Sequence, residues 1–204
     1  MGEPAYTRLH VDERRQQILD AGADLFAHNS YEEISMREIA DAAGVSKPLL
    51  YHYFPSKIEL FKAAVAEKAS ELQAVIEPSH RGPPVEQLGD SLDAYLRWID
   101  DNAEAWSNLM HSAATLPEAR ELVDGFRERT LALVLAEVTG GRKPRPALRT
   151  ALRGWLGYMD AAILDWAQAR DLSRAKLREL LLSAFAAALF SAQQVDPRVQ
   201  LRLA

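Results

Sequence analysis

The 204-residue chain contains no cysteine. Disulfides and thiolate metal sites are thereby excluded, and a reducing, cytoplasmic setting suits it. It also lacks a long apolar run. The longest charge-free stretch, Leu180 to Val195, falls short of the ~20 residues that a spanning helix needs, and it is interrupted by two serines and two glutamines. Such a stretch reads as a buried or interface helix, and no membrane partner is expected. The N-terminal MGEPAYTRLHVDERRQQ is polar and has no apolar core, so no signal peptide is expected. No charge of one sign dominates either. With a formal net charge of −5, any binding of nucleic acid has to come from a local site.

Motifs of catalysis are missing as well. There is no HExxH, no GxSxG and no glycine-rich phosphate loop. His10, His28, His52, His80 and His111 are scattered, with no acidic cluster beside them. Asp100–Asp101 and the pair Asp160 and Asp165 read as helix-surface charges or caps rather than as catalytic acids. No metal, no cofactor and no enzymatic activity are expected.

What is present is helix after helix. Hydrophobic residues make up 48% and charged residues 26%, an ordinary globular balance with enough apolar side chains for a real core. Apolar residues recur at helical spacing, and strand-like alternation with turn dipeptides is absent. Helices are predicted over about 12–28, from Ser35 to about Ala43, from Ser46 to before Pro55, and over 57–76. The stretch EPSHRGPP, Glu77 to Pro84, is the best boundary in the chain. Beyond it, helices are predicted over 85–102, 103–114, 115–139, 147–170 and 173–194. Thr115 and Glu118 are expected to form a capping box at the start of the 115–139 helix. The loop GGRKPRP, Gly140 to Pro146, breaks that series. An all-α chain of about nine helices follows.

The informative stretch is 34–60. In ISMREI, Ser35 can accept from the Glu38 N–H while the Glu38 carboxylate bonds back, with Ile34 and Ile39 flanking the box. In PSKIEL, Ser56 and Glu59 repeat the signal. Between them Gly44 falls where a left-handed residue ends a helix. Ser46 can cap the next helix, Pro48 sits in its first turn, and Pro55 forces it to stop. Helix, glycine-bearing turn and short helix make a helix-turn-helix. The N-terminal end of such a second helix meets base edges in the major groove and favours phosphate. Leu50 and Phe54, four apart, are expected to face the core. Lys47, Leu49, Tyr51 and Tyr53 then project elsewhere, and His52 is left open. Over 35–62, four cations (Arg37, Lys47, Lys57, Lys62) against three acids (Glu38, Asp41, Glu59) leave only +1. So weak a footprint calls for a second copy and close phosphate contacts rather than a broad basic patch.

These residues carry a resemblance. RRQQILDAGADLFAHNSYEEISMREIADAAGVSKPLLYHYFPSKIELF, with its I-x-x-A-A-G-V-S, LYHYF and S-K-x-E-L-F elements, resembles the DNA-binding domain of the tetracycline-repressor (TetR) family of bacterial transcriptional regulators. The resemblance implies a helix-turn-helix DNA-binding domain over 1–62, with the helix 57–76 as connector, and an effector-binding and dimerisation domain over 63–204. It implies a homodimer, a double-stranded DNA operator and a small-molecule effector. By family position, Ser35 and Arg37 would approach DNA from the second helix. Ser46, Lys47, Pro48, Leu49, Tyr51 and Tyr53 would contact it from the third, and Lys57 would hold a phosphate. Leu49 departs from the small polar residue or glycine that many members place there, which leaves only apolar contact with a base.

In the C-terminal half, the helix over 147–170 gathers Leu148, Leu152, Trp155, Met159 and Trp166 on one face, and Gly154, Gly157 and Ala161 on another. Ala184 and Ala188 give the last helix a similar small face. These small faces are expected at a dimer interface. Trp98, Trp106, Met110, Trp155 and Met159 are the expected lining of a pocket for an apolar or aromatic effector. The reading is a ligand-responsive repressor, set beside two others: a DNA binder without effector, and a helical enzyme or adaptor that reuses the fold.

Overall fold

The computed structural model describes residues 5–76 and 84–202. Among them it contains nine α-helices and no strand. They are α1 (Ala5–His28), α2 (Met36–Ala42), α3 (Lys47–Tyr53), α4 (Lys57–Ile76), α5 (Pro84–Asp101), α6 (Ala103–Thr115), α7 (Pro117–Thr139), α8 (Pro146–Ala169) and α9 (Arg174–Val195). The proline-rich boundary lies outside the described residues except for Pro84, which opens α5. None of the described helices is long and apolar enough to cross a membrane.

Two helix starts differ from expectation: α1 begins at Ala5 rather than near residue 12, and α7 at Pro117 rather than at Thr115. Thr115 closes α6 and does not cap α7, and its hydroxyl lies 3.4 Å from both the Ser112 carbonyl and the Glu32 carboxylate. Pro117 begins α7 instead, because its fixed φ suits a first helical position and its missing N–H costs nothing there.

The chain packs as two compact units, Met1–Glu71 with Glu104–Leu122, and Leu72–Ala103 with Val123–Ala204. The helix-turn-helix segment expected over 1–62 lies inside the first unit, and the remainder is shared between the two.

The first unit is built around one apolar cluster. Ile18 and Leu19 of α1, Ile39 of α2, Leu50 of α3 and Leu60 of α4 are its buried centre, and Ala119 of α7 joins it. Gly22 lets α1 and α4 approach: a Cβ there would stand 2.9 Å from Leu60 Cδ2. Phe26 and Tyr31 both pack on the Phe61 ring, at centroid distances of 5.1 and 5.2 Å in edge-on geometry. Asn108 Nδ2 of α6 donates to the Ala27 carbonyl at 2.7 Å, tying α6 to the end of α1.

In the second unit α8 and α9 form an antiparallel hairpin. The apolar face of α8, Leu148, Leu152, Trp155, Met159, Ile163 and Trp166, is buried against Leu177, Leu181, Phe185 and Leu189 of α9. Trp155 Nε1 donates to the Leu181 carbonyl at 3.0 Å, and Trp166 Nε1 to the Leu172 carbonyl at 2.7 Å. Arg170 ends α8 with φ +53, a left-handed value uncommon for a side-chain-bearing residue. Its guanidinium stacks over the Trp166 ring and pairs with Asp100 of α5. Arg178 completes the α5–α9 contact, with Nε 3.0 Å from Asp93. It lies so close to Gly89 that a Cβ there would meet the guanidinium at 2.4 Å.

Candidate nucleic-acid interface

The turn between α2 and α3 is fixed at both ends by local chemistry. Ser35 caps α2: Glu38 N–H donates to its hydroxyl at 3.2 Å, and Ser35 N–H donates to the Glu38 carboxylate at 2.7 Å. The Ser35 hydrogen bonds hold the Glu38 pKa below the usual carboxylate range. At the far end Gly44 takes φ +63. Its N–H donates to the Asp41 carbonyl at 3.2 Å, and the Val45 N–H reaches back to the Ala40 carbonyl at 2.9 Å. This pair of bonds is the Schellman closure. Gln17 of α1 reinforces it, donating from Nε2 to the Ala43 carbonyl at 2.8 Å.

α3 follows directly. Ser46 accepts from the Leu49 N–H at 3.4 Å, Pro48 sits in the first turn, and the Phe54 N–H closes the helix on the Leu50 carbonyl at 2.9 Å. Leu50 and Phe54 are 0% and 3% exposed. The opposite side is open: Ser46, Lys47 and Pro48 are exposed, Tyr51 is 42% exposed, and Leu49 is half-buried. Lys47 has no protein partner among the described residues. The seven residues of α3 thus present a cation, a proline ring and an aromatic hydroxyl on one face, while Leu50 and the C-cap residue Phe54 anchor the other. From α2, Arg37 is also exposed, with only a loose 3.8 Å contact to Asp41.

Two residues of the set sit differently from the others. Tyr53 is half-buried and packs against the core of the unit, and His52 stands edge-on to it at 5.4 Å, exposed. Lys57, expected on a phosphate, turns inward. Its Nζ donates to the carbonyls of Tyr31 at 2.6 Å and Ile34 at 2.7 Å, and lies 4.1 Å from the centre of the Tyr31 ring. Burial lowers the Lys57 pKa, opposed by Glu32 and Glu38; burial also raises that of Tyr31, helped by Glu118 and Glu32. Lys57 therefore fixes the loop that leads into Ser35. No sequence pattern signals this contact, nor that of Gln17 with Ala43, nor that of Arg15, whose guanidinium lies 4.9 Å above the Phe54 ring. Each pairs residues far apart in the chain.

The five residues expected at an effector pocket are divided. Trp98, Trp155 and Met159 belong to the second unit, and Trp106 and Met110 to the first. Trp155, Met159 and Trp106 are buried, and Trp155 packs edge-on against Phe185 at 4.9 Å. Trp98 and Met110 are half-buried. Of the expected interface residues, Gly154, Gly157 and Ala161 are exposed, while Ala184 and Ala188 are half-buried. A Cβ on Gly154 or on Gly157 would meet nothing within 4 Å.

A capped, groove-sized helix set on a glycine turn, in an all-helical chain, defines a helix-turn-helix DNA-binding regulator. Residues 18–64 match the family model described as bacterial regulatory proteins of the tetR family. Residues 84–188 match that of the tetracyclin repressor-like C-terminal domain. The chain belongs to the TetR family of transcriptional regulators, which are not enzymes. It is similar to the HTH-type transcriptional activator FasR of Mycolicibacterium smegmatis, with 35% identity over 101 residues, or 48% of this chain and 46% of that protein. It is also similar to the HTH-type transcriptional repressor KstR of Mycobacterium tuberculosis, with 40% identity over 67 residues, or 33% of this chain and 30% of that protein. The matched stretches thus span less than half of the length of these curated relatives. A solved tetR-family regulator from Streptomyces coelicolor is 31% identical, with a TM-score of 0.80 over 91% of this chain and 84% of that one.

Proposed function

We propose that this regulator is a cytoplasmic homodimeric repressor that binds a two-half-site DNA operator and leaves it when a small apolar or aromatic effector is bound. The observation that carries the DNA contact is the division of α3. Leu50 and Phe54 are sunk in the core, while Lys47, Pro48 and Tyr51 are left in the open. Ser35 and Arg37 would approach the backbone from α2. Ser46, Lys47, Pro48, Leu49 and Tyr51 would face the groove, with the Tyr53 hydroxyl at its edge. Lys57 acts from behind, with one ammonium proton left for a phosphate.

A second copy supplies what one chain lacks. The local surplus of charge is small, and two half-sites one helical turn apart double the phosphate contacts. The proposed interface is the outer face of α8 and α9. Gly154, Gly157 and Ala161 give a smooth surface on which a partner helix can approach closely. Tyr158, Leu180 and Phe190 are exposed apolar side chains for it to cover. Effector binding belongs to the C-terminal helical domain, with the half-buried Trp98 as its aromatic wall. A ligand that favours one spacing of the two recognition helices shifts the dimer off its operator.

Among its relatives, FasR is named an activator and KstR a repressor; repression is the sign proposed for this chain. The test is a gel shift on the DNA upstream of the chain's own gene at stepped salt, repeated with apolar and aromatic compounds. A shift that weakens steeply with salt and is released by a compound supports the reading. A salt-insensitive shift, or none, contradicts it.

A further inference from the structure

The GGRKPRP loop between α7 and α8 and the tail that follows α9 have no part in the function above. Both lie in the second unit. There they bring Arg142, Lys143, Arg145 and Arg198 around one cavity of about 90 Å³, floored by Thr139 and Leu148. Among the described residues, Asp196 is the carboxylate that pairs with these cations. It accepts from Arg145 Nε at 2.9 Å and from Arg198 Nε at 3.0 Å, and the two bonds drive its pKa down to about 2. Four positive charges against one negative leave +3 at this spot, in a chain whose net charge is −5. Like charges held together repel, so this concentration has an energetic cost that an anion would relieve.

The cations are pre-positioned. Arg142 is held by Nε on the Thr139 carbonyl at 2.9 Å and by Nη1 on the Gln200 side chain at 2.7 Å. Arg145 and Arg198 are held side by side through Nε, and no terminal Nη of either has a protein acceptor among the described residues. Lys143 has no protein partner among them. The tail itself is pinned, with the Arg202 N–H on the Val138 carbonyl at 2.8 Å. Arg145 is also the N-cap of α8 and makes no side-chain cap, so the positive end of a 24-residue helix adds to the field.

Size selects the ligand class. The cavity is several times larger than the ~10–15 Å³ that holds one water, and far below the ~300 Å³ of a drug-sized site. Planar guanidinium forks with a mobile ammonium are the chemistry that recognises tetrahedral oxyanions. We propose that this cavity binds a phosphate group, either as the free ion or as the terminal phosphate of a small metabolite.

The test is isothermal titration calorimetry of the full chain with inorganic phosphate and, separately, with a nucleoside monophosphate, at constant ionic strength set with chloride. The comparison is Lys143→Glu at an exposed position, where the variant is expected to keep the wild-type circular-dichroism melt. Binding in the wild type, weakened about tenfold or more in Lys143→Glu, is the expected result. Equal affinity for both ligands assigns the site to the free ion, and tighter binding of the nucleotide assigns it to a phosphate-bearing metabolite. No heat with either ligand, or equal affinity in Lys143→Glu, overturns the proposal.

Discussion

The ammonium of Lys57 lies 2.6 Å from the Tyr31 carbonyl and 4.1 Å from the centre of the Tyr31 ring. One side chain at the start of α4 thereby holds the loop that delivers Ser35 to α2. Lys57→Met keeps the bulk of the stem and removes the donor, which leaves the Tyr31 and Ile34 carbonyls without it. A loss of about 1–2 kcal/mol in unfolding free energy is expected, read from urea unfolding. DNA binding should weaken with it, because α2 loses its fixed entry. An unchanged urea midpoint would show that the contact carries no weight.

Gly44 makes a second prediction of known sign. Its φ of +63 is unfavourable for any residue with a Cβ, yet nothing stands within 4 Å of where that Cβ would be. Gly44→Ala should therefore cost about 1 kcal/mol from backbone conformation alone, with no clash to relieve. Ser35→Ala removes the cap at the other end of α2 and should cost a similar amount, about 1 kcal/mol. Thermal melts of the two single variants and of the double variant check both values.

These two positions were legible because their chemistry is local. A serine three residues before a glutamate, a glycine at a helix end and a proline in a first turn act within a single turn of chain. The same locality explains the miss at Thr115, where the sequence pattern fits a capping box but Pro117 two residues on took the start of α7. The contacts of Lys57 with Tyr31, Gln17 with Ala43 and Arg15 with Phe54 depend on how α1 and α4 cross the helix-turn-helix. No periodicity encodes that. Nor does sequence distinguish Tyr53, drawn against the core, from Tyr51, left outside; both lie in one aromatic run, and only packing separates them. The buried and open faces of α8 were legible, since Leu148, Leu152 and Trp155 recur at helical spacing while Gly154 and Gly157 fall between them.

The open face of α8 gives a third prediction. In a single chain, a side chain at Gly157 has free space, and replacing a mid-helix glycine should stabilise the helix by up to about 1 kcal/mol. In the proposed dimer it faces a partner helix. Gly157→Leu should therefore give a folded species at the mass of one 22.7 kDa chain where the wild type runs at twice that value. Light scattering after size exclusion reads the mass and circular dichroism the fold. A wild type that is already monomeric contradicts the interface.

Asp196 gives a prediction in acid. Arg198 first, then Arg145, hold its carboxylate near 2, against an ordinary value of 3.8. The folded state thus binds this proton less readily than the unfolded chain does. Its contribution to stability is complete above pH 3.8 and is lost as the pH falls toward 2. Between those limits, the stability of Asp196→Asn should fall less steeply with pH than that of the wild type, as melts at stepped pH will show. Parallel curves would mean that the Arg145 and Arg198 contacts do not perturb the carboxylate.

The most direct test of the account is the affinity of the chain for its own upstream DNA, measured by fluorescence anisotropy with the Lys47→Ala, Tyr51→Ala double variant beside the wild type. Both side chains are on the open face of α3, so the variant should melt as the wild type does. Removing one phosphate contact and one sugar or base contact should weaken binding by about 10- to 100-fold and reduce the dependence on salt by roughly one ion. A double variant that is fully folded and binds this DNA as tightly as the wild type would contradict the claim that α3 reads DNA.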